Sequence, residues 1–185
     1  MLVNCKALLA GLILCSACRI LSGLKSLNYL LFRRIDTNCN SKYVSRYEAA
    51  ISPDFTAVNF TLNFRRNITA DVWLRAIIGQ RVAKTGDSFR DVFTYNVNLC
   101  HVMGRVKGNG LINYWLNNIL RESNMPRNCP IKRGNYHLRN VRSEMEGVPR
   151  FIRSGSIRVA SAVYVRDWSN VNLTGTVLYL EIKMQ

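Results

Sequence analysis

Phe55-Thr56-Ala57-Val58-Asn59-Phe60-Thr61-Leu62-Asn63-Phe64 decides how the rest of the chain is read. Val58, Phe60, Leu62 and Phe64 alternate with Ala57, Asn59, Thr61 and Asn63. Successive side chains of a β-strand point to opposite faces, so a two-residue period puts one face in a core and the other in water.

Outward from this strand the pattern repeats. Residues 72–78 are more continuously apolar and fit a central strand, with Arg65-Arg66-Asn67 turning the chain before it. Ala83-Lys84-Thr85-Gly86-Asp87 reads as a hairpin turn into residues 89–100, where Phe93, Tyr95, Val97 and Leu99 recur at every second position. Strand character returns at 136–141 and 157–165, and a last strand over 174–184 follows a polar turn at 167–172. An edge strand is expected around 29–35. Between 109 and 121 the period changes. Leu111, Ile112, Trp115, Leu116, Ile119 and Leu120 make one broad apolar helix face, while Asn113, Asn117, Asn118 and Arg121 take the other side. About seven short strands and one amphipathic helix predict an antiparallel sandwich or small barrel, with the helix over a mouth or an open edge.

Ahead of the strands, Lys6 precedes an apolar run at 7–18, the basic and apolar regions of a secretory signal peptide. The run falls short of the ~20 residues a spanning helix needs, so the mature chain is expected to be secreted and not membrane-spanning. Residues 1–23 are assigned to the signal peptide and 24–185 to a single domain, because no internal repeat, low-complexity segment or linker divides the remainder. Asn59, Asn67 and Asn172 each begin an Asn-x-Ser/Thr acceptor sequence, in agreement with export, and Asn59 lies on the wet face of its strand.

The chain carries a formal net charge of +15, and loss of the leader removes only Lys6 and Arg19 from it. The arginines are dispersed, which suits a solvated surface with affinity for anionic partners. Helix-turn-helix, zinc-finger and RNP-type patterns are absent, so nucleic acid is not an expected partner. His101 and His137 are the two histidines; neither falls in a zinc pattern, and there is no Gly-x-Ser-x-Gly elbow. The glycines at 104–110 lack the Gly-Lys-Ser/Thr ending of a phosphate loop. No enzyme chemistry, metal or cofactor is expected from these residues.

Three of the six cysteines lie in the leader, leaving Cys39, Cys100 and Cys129. Cys100 ends a strand and Cys129 follows the helix, so a bridge between them would staple the helical excursion to the sheet. Cys39 is then unpaired, bonded to another chain, or the true partner of one of the other two.

Tyr95-Asn96-Val97-Asn98-Leu99-Cys100, the amphipathic stretch ending near Ser123-Asn124, and Asn128-Cys129-Pro130 together resemble the core signature of an insect family of small secreted proteins that includes the CheB chemosensory proteins. The likeness runs from Asn38-Cys39 to the last strand. Cys39, Cys100 and Cys129 match family cysteines, but a further one expected near Glu48, Ala49 and Ala50 is missing, and the Pro-x-Gly-x-Tyr stretch survives only as Val148-Pro149. The family is related to the ML lipid-recognition superfamily, so the resemblance implies a mostly β, immunoglobulin-like antiparallel β-sandwich with an apolar ligand between its sheets. It implies binding of a small hydrophobic ligand, a lipid or hydrocarbon pheromone, and a membrane receptor or ion channel as partner. Phe60, Leu62, Phe64, Leu74, Tyr95, Val97, Trp115, Ile119, Val163 and Tyr179 are the expected lining. The alternative is a secreted basic module with a packed core, engaging an anionic receptor or glycan.

Overall fold

The computed structural model describes residues 29–82, 88–103, 111–142, 155–169 and 171–183, with no side-chain description for 29 and 111–115. The expected signal peptide and the expected hairpin turn at 83–87 lie outside them. The described residues form eight strands: β1 (Tyr29–Cys39), β2 (Val44–Ile51), β3 (Ala57–Phe64), β4 (Val72–Arg81), β5 (Phe89–Asn98), β6 (Gly134–Arg142), β7 (Gly155–Val165) and β8 (Val171–Lys183). Two helices, α1 (Leu99–Met103) and α2 (Leu111–Arg121), fall between β5 and β6.

The strands make two antiparallel sheets, one of five in the order β1-β8-β7-β4-β5 and one of three in the order β2-β3-β6. This is the expected mostly β sandwich. β3 alternates as its sequence requires: Val58, Leu62 and Phe64 are buried, and Asn59 and Thr61 are exposed.

β2 was not expected from the sequence. Val44, Tyr47, Ala49 and Ile51 form its inward set, but the register shift between Val44 and Arg46 inserts a residue and breaks the two-residue count. The first helix was also unforeseen, because five residues are too few to show a helical period.

Two buried nuclei hold the sheets together. Leu30, Phe32, Val58, Ile78, Ile157, Leu180 and Ile182 make one. Val44, Leu62, Phe64, Ile68, Val72, Ile131, Val165 and Leu173 make the other. Each large apolar side chain so buried contributes about 1.5–3 kcal/mol.

α2 presents Leu116 and Leu120 to the interior, as its apolar face predicts. Asn118, expected on the wet side, is instead buried, and its Nδ2 donates to the Arg142 carbonyl at 3.0 Å. The reason is the free edge of β6. The segment after the helix lies along that edge: Arg139 N donates to Glu122 O at 2.8 Å, and His137 N to Asn124 Oδ1 at 2.6 Å. Arg127 Nη2 donates to the Leu120 carbonyl at 2.6 Å, satisfying one of the acceptors a helix leaves unpaired at its C-terminus.

Candidate functional site

The inner face of the five-stranded sheet is ordered in cross-strand rows by its register. One row runs Phe93, Ile78, Val159, Leu178, Ile35, all large and apolar. The next runs Tyr95, Ala76, Ser161, Thr176, Thr37. The third begins Val97, Leu74, Val163. The middle row is small at four of its five positions, which cuts a trough across the sheet between the two buried nuclei.

Facing the trough from the smaller sheet are Tyr47 and Phe60, whose rings stack with centroids 6.1 Å apart. The Tyr47 hydroxyl hydrogen-bonds to Thr176 Oγ1, and Thr37 Oγ1 donates to the Tyr47 carbonyl at 3.3 Å. Tyr47 thus closes the β1/β8 end of the trough, and its burial raises the pKa of its phenol above the ordinary value while the Thr176 bond opposes that shift. At the β5 end, burial likewise raises the Tyr95 phenol. Both stay neutral at ordinary pH, and no acidic or basic side chain belongs to the three rows.

Solvent access varies along the inner face. β7 is the middle strand of the five and is flanked on both sides. Its inward residues Ile157 and Val165, towards its two ends, are 3 % and 0 % exposed, yet Val159, Ser161 and Val163 between them are only partly buried. Phe93, Tyr95, Leu178, Phe60 and Ile51, which pack against the first nucleus, are partly exposed too. The inner face is thus closed towards both ends of β7 and less fully covered between them, where Ala76 and Thr176 on the neighbouring strands are buried and Val159, Ser161 and Val163 are only partly so; this stretch, apolar with a few hydroxyls, is the candidate cleft.

Of the residues expected to line a cavity, register brings together Tyr95, Val97, Leu74 and Val163 on one sheet, with Phe60 opposite. Leu62 and Phe64 belong to the closed second nucleus. Ile119 is partly exposed on α2, and the Trp115 side chain lies outside the described residues. Tyr179 is a correction: it alternates with the inward Leu178 and Leu180, so it points to the outer face, where its ring meets Phe89 at 5.9 Å and the Arg34 guanidinium at 5.3 Å. Ala76, Ser161 and Thr176, which make the trough, went unforeseen. Their sequence trace is small residues at inward positions, and only the register shows that they fall in one row.

Cys100 is bonded to Cys129, with Cα atoms 5.4 Å apart, and Val72 N donates to its Sγ at 3.3 Å. The bridge ties α1 and the segment before β6 to the second nucleus. Cys39 is exposed and carries no disulfide. Among the described residues no group of three or more His, Cys, Asp or Glu side chains is placed to hold a metal, and no helix is long and apolar enough to cross a membrane.

Comparison with known proteins adds a match to a family profile. A profile described as "Protein of unknown function (DUF1091)" matches residues 68–159. The chain matches DUF1091. The DUF1091 match takes in β4 and β5, both helices, both bridged cysteines, β6 and the first five residues of β7, and thus only part of the inner face of the five-stranded sheet, with the disulfide. Two solved structures show distant likeness. Chicken MD-1 complexed with lipid IVa aligns over 85 % of this chain and 98 % of its own, at 11 % identity and a TM-score of 0.38. A Niemann-Pick type C2 protein from Japanese carpenter ant aligns over 84 % and 93 %, at 11 % identity and a TM-score of 0.29. A comparison of the sequence with curated proteins returns no match.

Proposed function

We propose that this protein holds a small hydrophobic molecule, a lipid or hydrocarbon, in the cleft between its two sheets, as a secreted glycoprotein. The observation that carries the reading is the exposure along β7. Inward residues at the middle of a tightly packed sheet are normally buried, whereas here Val159, Ser161 and Val163 are only partly so. Apolar walls with a few hydroxyls suit a ligand whose binding is driven by removal of its surface from water, at about 25 cal/mol per Å². No reactive group is needed.

The resemblance to the CheB proteins supports a chemosensory or reproductive setting, with a pheromone-like ligand delivered to a membrane receptor or ion channel. The sequons at Asn59, Asn67 and Asn172 are exposed and would carry glycans on export. At Asn59 and Asn67 the side-chain oxygen accepts from the backbone of Asn140 and Arg133, at 2.8 and 2.7 Å, and the amide nitrogen that receives a glycan is not used in these bonds.

Native mass spectrometry of the protein secreted from eukaryotic cells, with glycans trimmed and the disulfide intact, tests the proposal. A stoichiometric co-purifying lipid or hydrocarbon, identified in an organic extract, is the expected result. A mass that is apo on isolation, and stays apo after incubation with a lipid panel, would overturn it.

A further inference from the structure

The outer face of the five-stranded sheet carries a second site. Arg75, Asn96, Tyr164, Arg166 and Asn172 line a half-open hollow of about 400 Å³. Register gathers the lining: Arg75 pairs with Asn96 on β5 and with Ala162 on β7, and Tyr164, two residues beyond Ala162, pairs with Asn172 on β8. Aromatic rings hold both guanidinium groups: Arg166 Cζ stands 5.1 Å over the Trp73 ring and Arg75 Cζ 6.0 Å over the Tyr164 ring. The Tyr164 hydroxyl donates to Asn96 Oδ1 at 2.9 Å, which orients the amide with its NH2 as the donor left to the hollow.

The lining is therefore rich in donors and holds no carboxylate. Arg33, Arg34, Arg46 and Arg158 each pair with an acid within 3 Å, but among the described residues neither Arg75 nor Arg166 does. Two guanidinium groups without an acidic partner, converging with the Asn96 carboxamide, match the donor-rich lining by which arginine binds oxyanions.

We propose that this hollow binds a tetrahedral oxyanion, sulfate or phosphate, free or borne as an ester on a sugar. The site is on the opposite face of the sheet from the cleft and does not depend on the reading of that cleft. Its volume exceeds the needs of a lone oxyanion, and the Tyr164 ring gives an attached sugar a surface to lie on.

Calorimetric or NMR titration at fixed ionic strength tests it, with inorganic sulfate, inorganic phosphate, N-acetylglucosamine 6-sulfate, N-acetylglucosamine 6-phosphate and unmodified N-acetylglucosamine as probes. The charged probes are expected to bind and the neutral sugar not. Tighter binding of the sugar esters identifies the ester as the source, and equal binding identifies the free ion. The Arg75→Gln/Arg166→Gln pair should weaken binding by about tenfold or more. Arg46→Gln, on the other sheet, should leave it within about twofold. If the double variant fails to fold, Asn96→Ala at an exposed position should weaken binding several-fold. Absence of binding to the native protein, equal loss from Arg46→Gln, or no loss from the Arg75/Arg166 pair would overturn the site. So would a glycan on Asn172 that fills the hollow and abolishes the response.

Discussion

Ser161 sits at the centre of the trough, with Ala76 and Thr176 on either side. Replacing it with leucine distinguishes an open cleft from a filled core by the sign of the stability change. A leucine entering open space between apolar walls gains about 1.5–3 kcal/mol from burial. It loses about 0.5–1 kcal/mol of rotamer freedom. The delipidated Ser161→Leu protein should then be about 1–2 kcal/mol more stable, a rise in Tm of about 2–4 °C per kcal/mol for a domain of this size. The added side chain would occupy the space of the ligand, so affinity for a fluorescent apolar probe such as N-phenylnaphthylamine should fall by about tenfold or more. In a filled core the same substitution overpacks and costs about 1–3 kcal/mol. Urea unfolding and probe titration on one preparation read both quantities. A loss of stability with probe affinity unchanged would refute the open cleft.

Two further expectations concern the frame around the site. The Cys100–Cys129 bridge closes a loop with a sequence separation of 29. By chain entropy a loop of that length is stabilised by about 3–4 kcal/mol, so the Cys100→Ser/Cys129→Ser variant should lose about that much in urea unfolding, and an unchanged midpoint would contradict the estimate. Asp54 accepts hydrogen bonds from the hydroxyls of Ser52 and Thr56 in the β2–β3 turn, which holds its carboxyl at about 2, below the ordinary 3.8. A depressed carboxyl stabilises the fold above its unfolded value, and that contribution disappears as pH falls from about 4 to about 2. Carbon-13 titration of the Asp54 carboxyl should give a midpoint near 2, moved upward by Thr56→Val; a midpoint near 3.8 in the native protein would count against the turn geometry.

Strands that keep a strict two-residue period were legible from the sequence, and β3 and β5 are the plainest cases. β2 was hidden by the bulge after Val44, which shifts Tyr47, Ala49 and Ile51 out of count with the first apolar residue. The helix was visible in its period, but the burial of Asn118 was not, because the open carbonyl of Arg142 belongs to a distant strand. The site was half legible. Large inward residues such as Phe60 and Tyr95 stand out in any alternating pattern, whereas a trough is made by what is small. Ala76, Ser161 and Thr176 are ordinary residues in three separate strands until pairing sets them in line. Tyr179 shows the converse error: its size suggested a lining role, and its parity with Leu178 and Leu180 assigns it to the outer face.

The pairing of β1 with β8 also bears on how the chain meets proteases. Arg33 and Arg34 form a dibasic pair of the kind that processing enzymes cut, but they sit inside β1, which pairs with β8 from Tyr29↔Lys183 to Cys39↔Thr174 with a register shift between Phe32 and Arg34 that leaves Arg33 at a bulge. Arg33 is clasped by Glu181 and Arg34 by Asp36, and the Phe32 amide donates to Phe55 O at 2.8 Å. A protease must draw its target into an extended, unpaired form, so cleavage at the bulge still requires freeing the paired stretches on either side of it and pulling Leu30 and Phe32 from the first nucleus. Such a cut would bare the backbone of β8 as a new edge, open to pairing with another chain. The folded domain thus shields its own dibasic pair, and a nick between Arg33 and Arg34 would report unfolding of that edge rather than maturation.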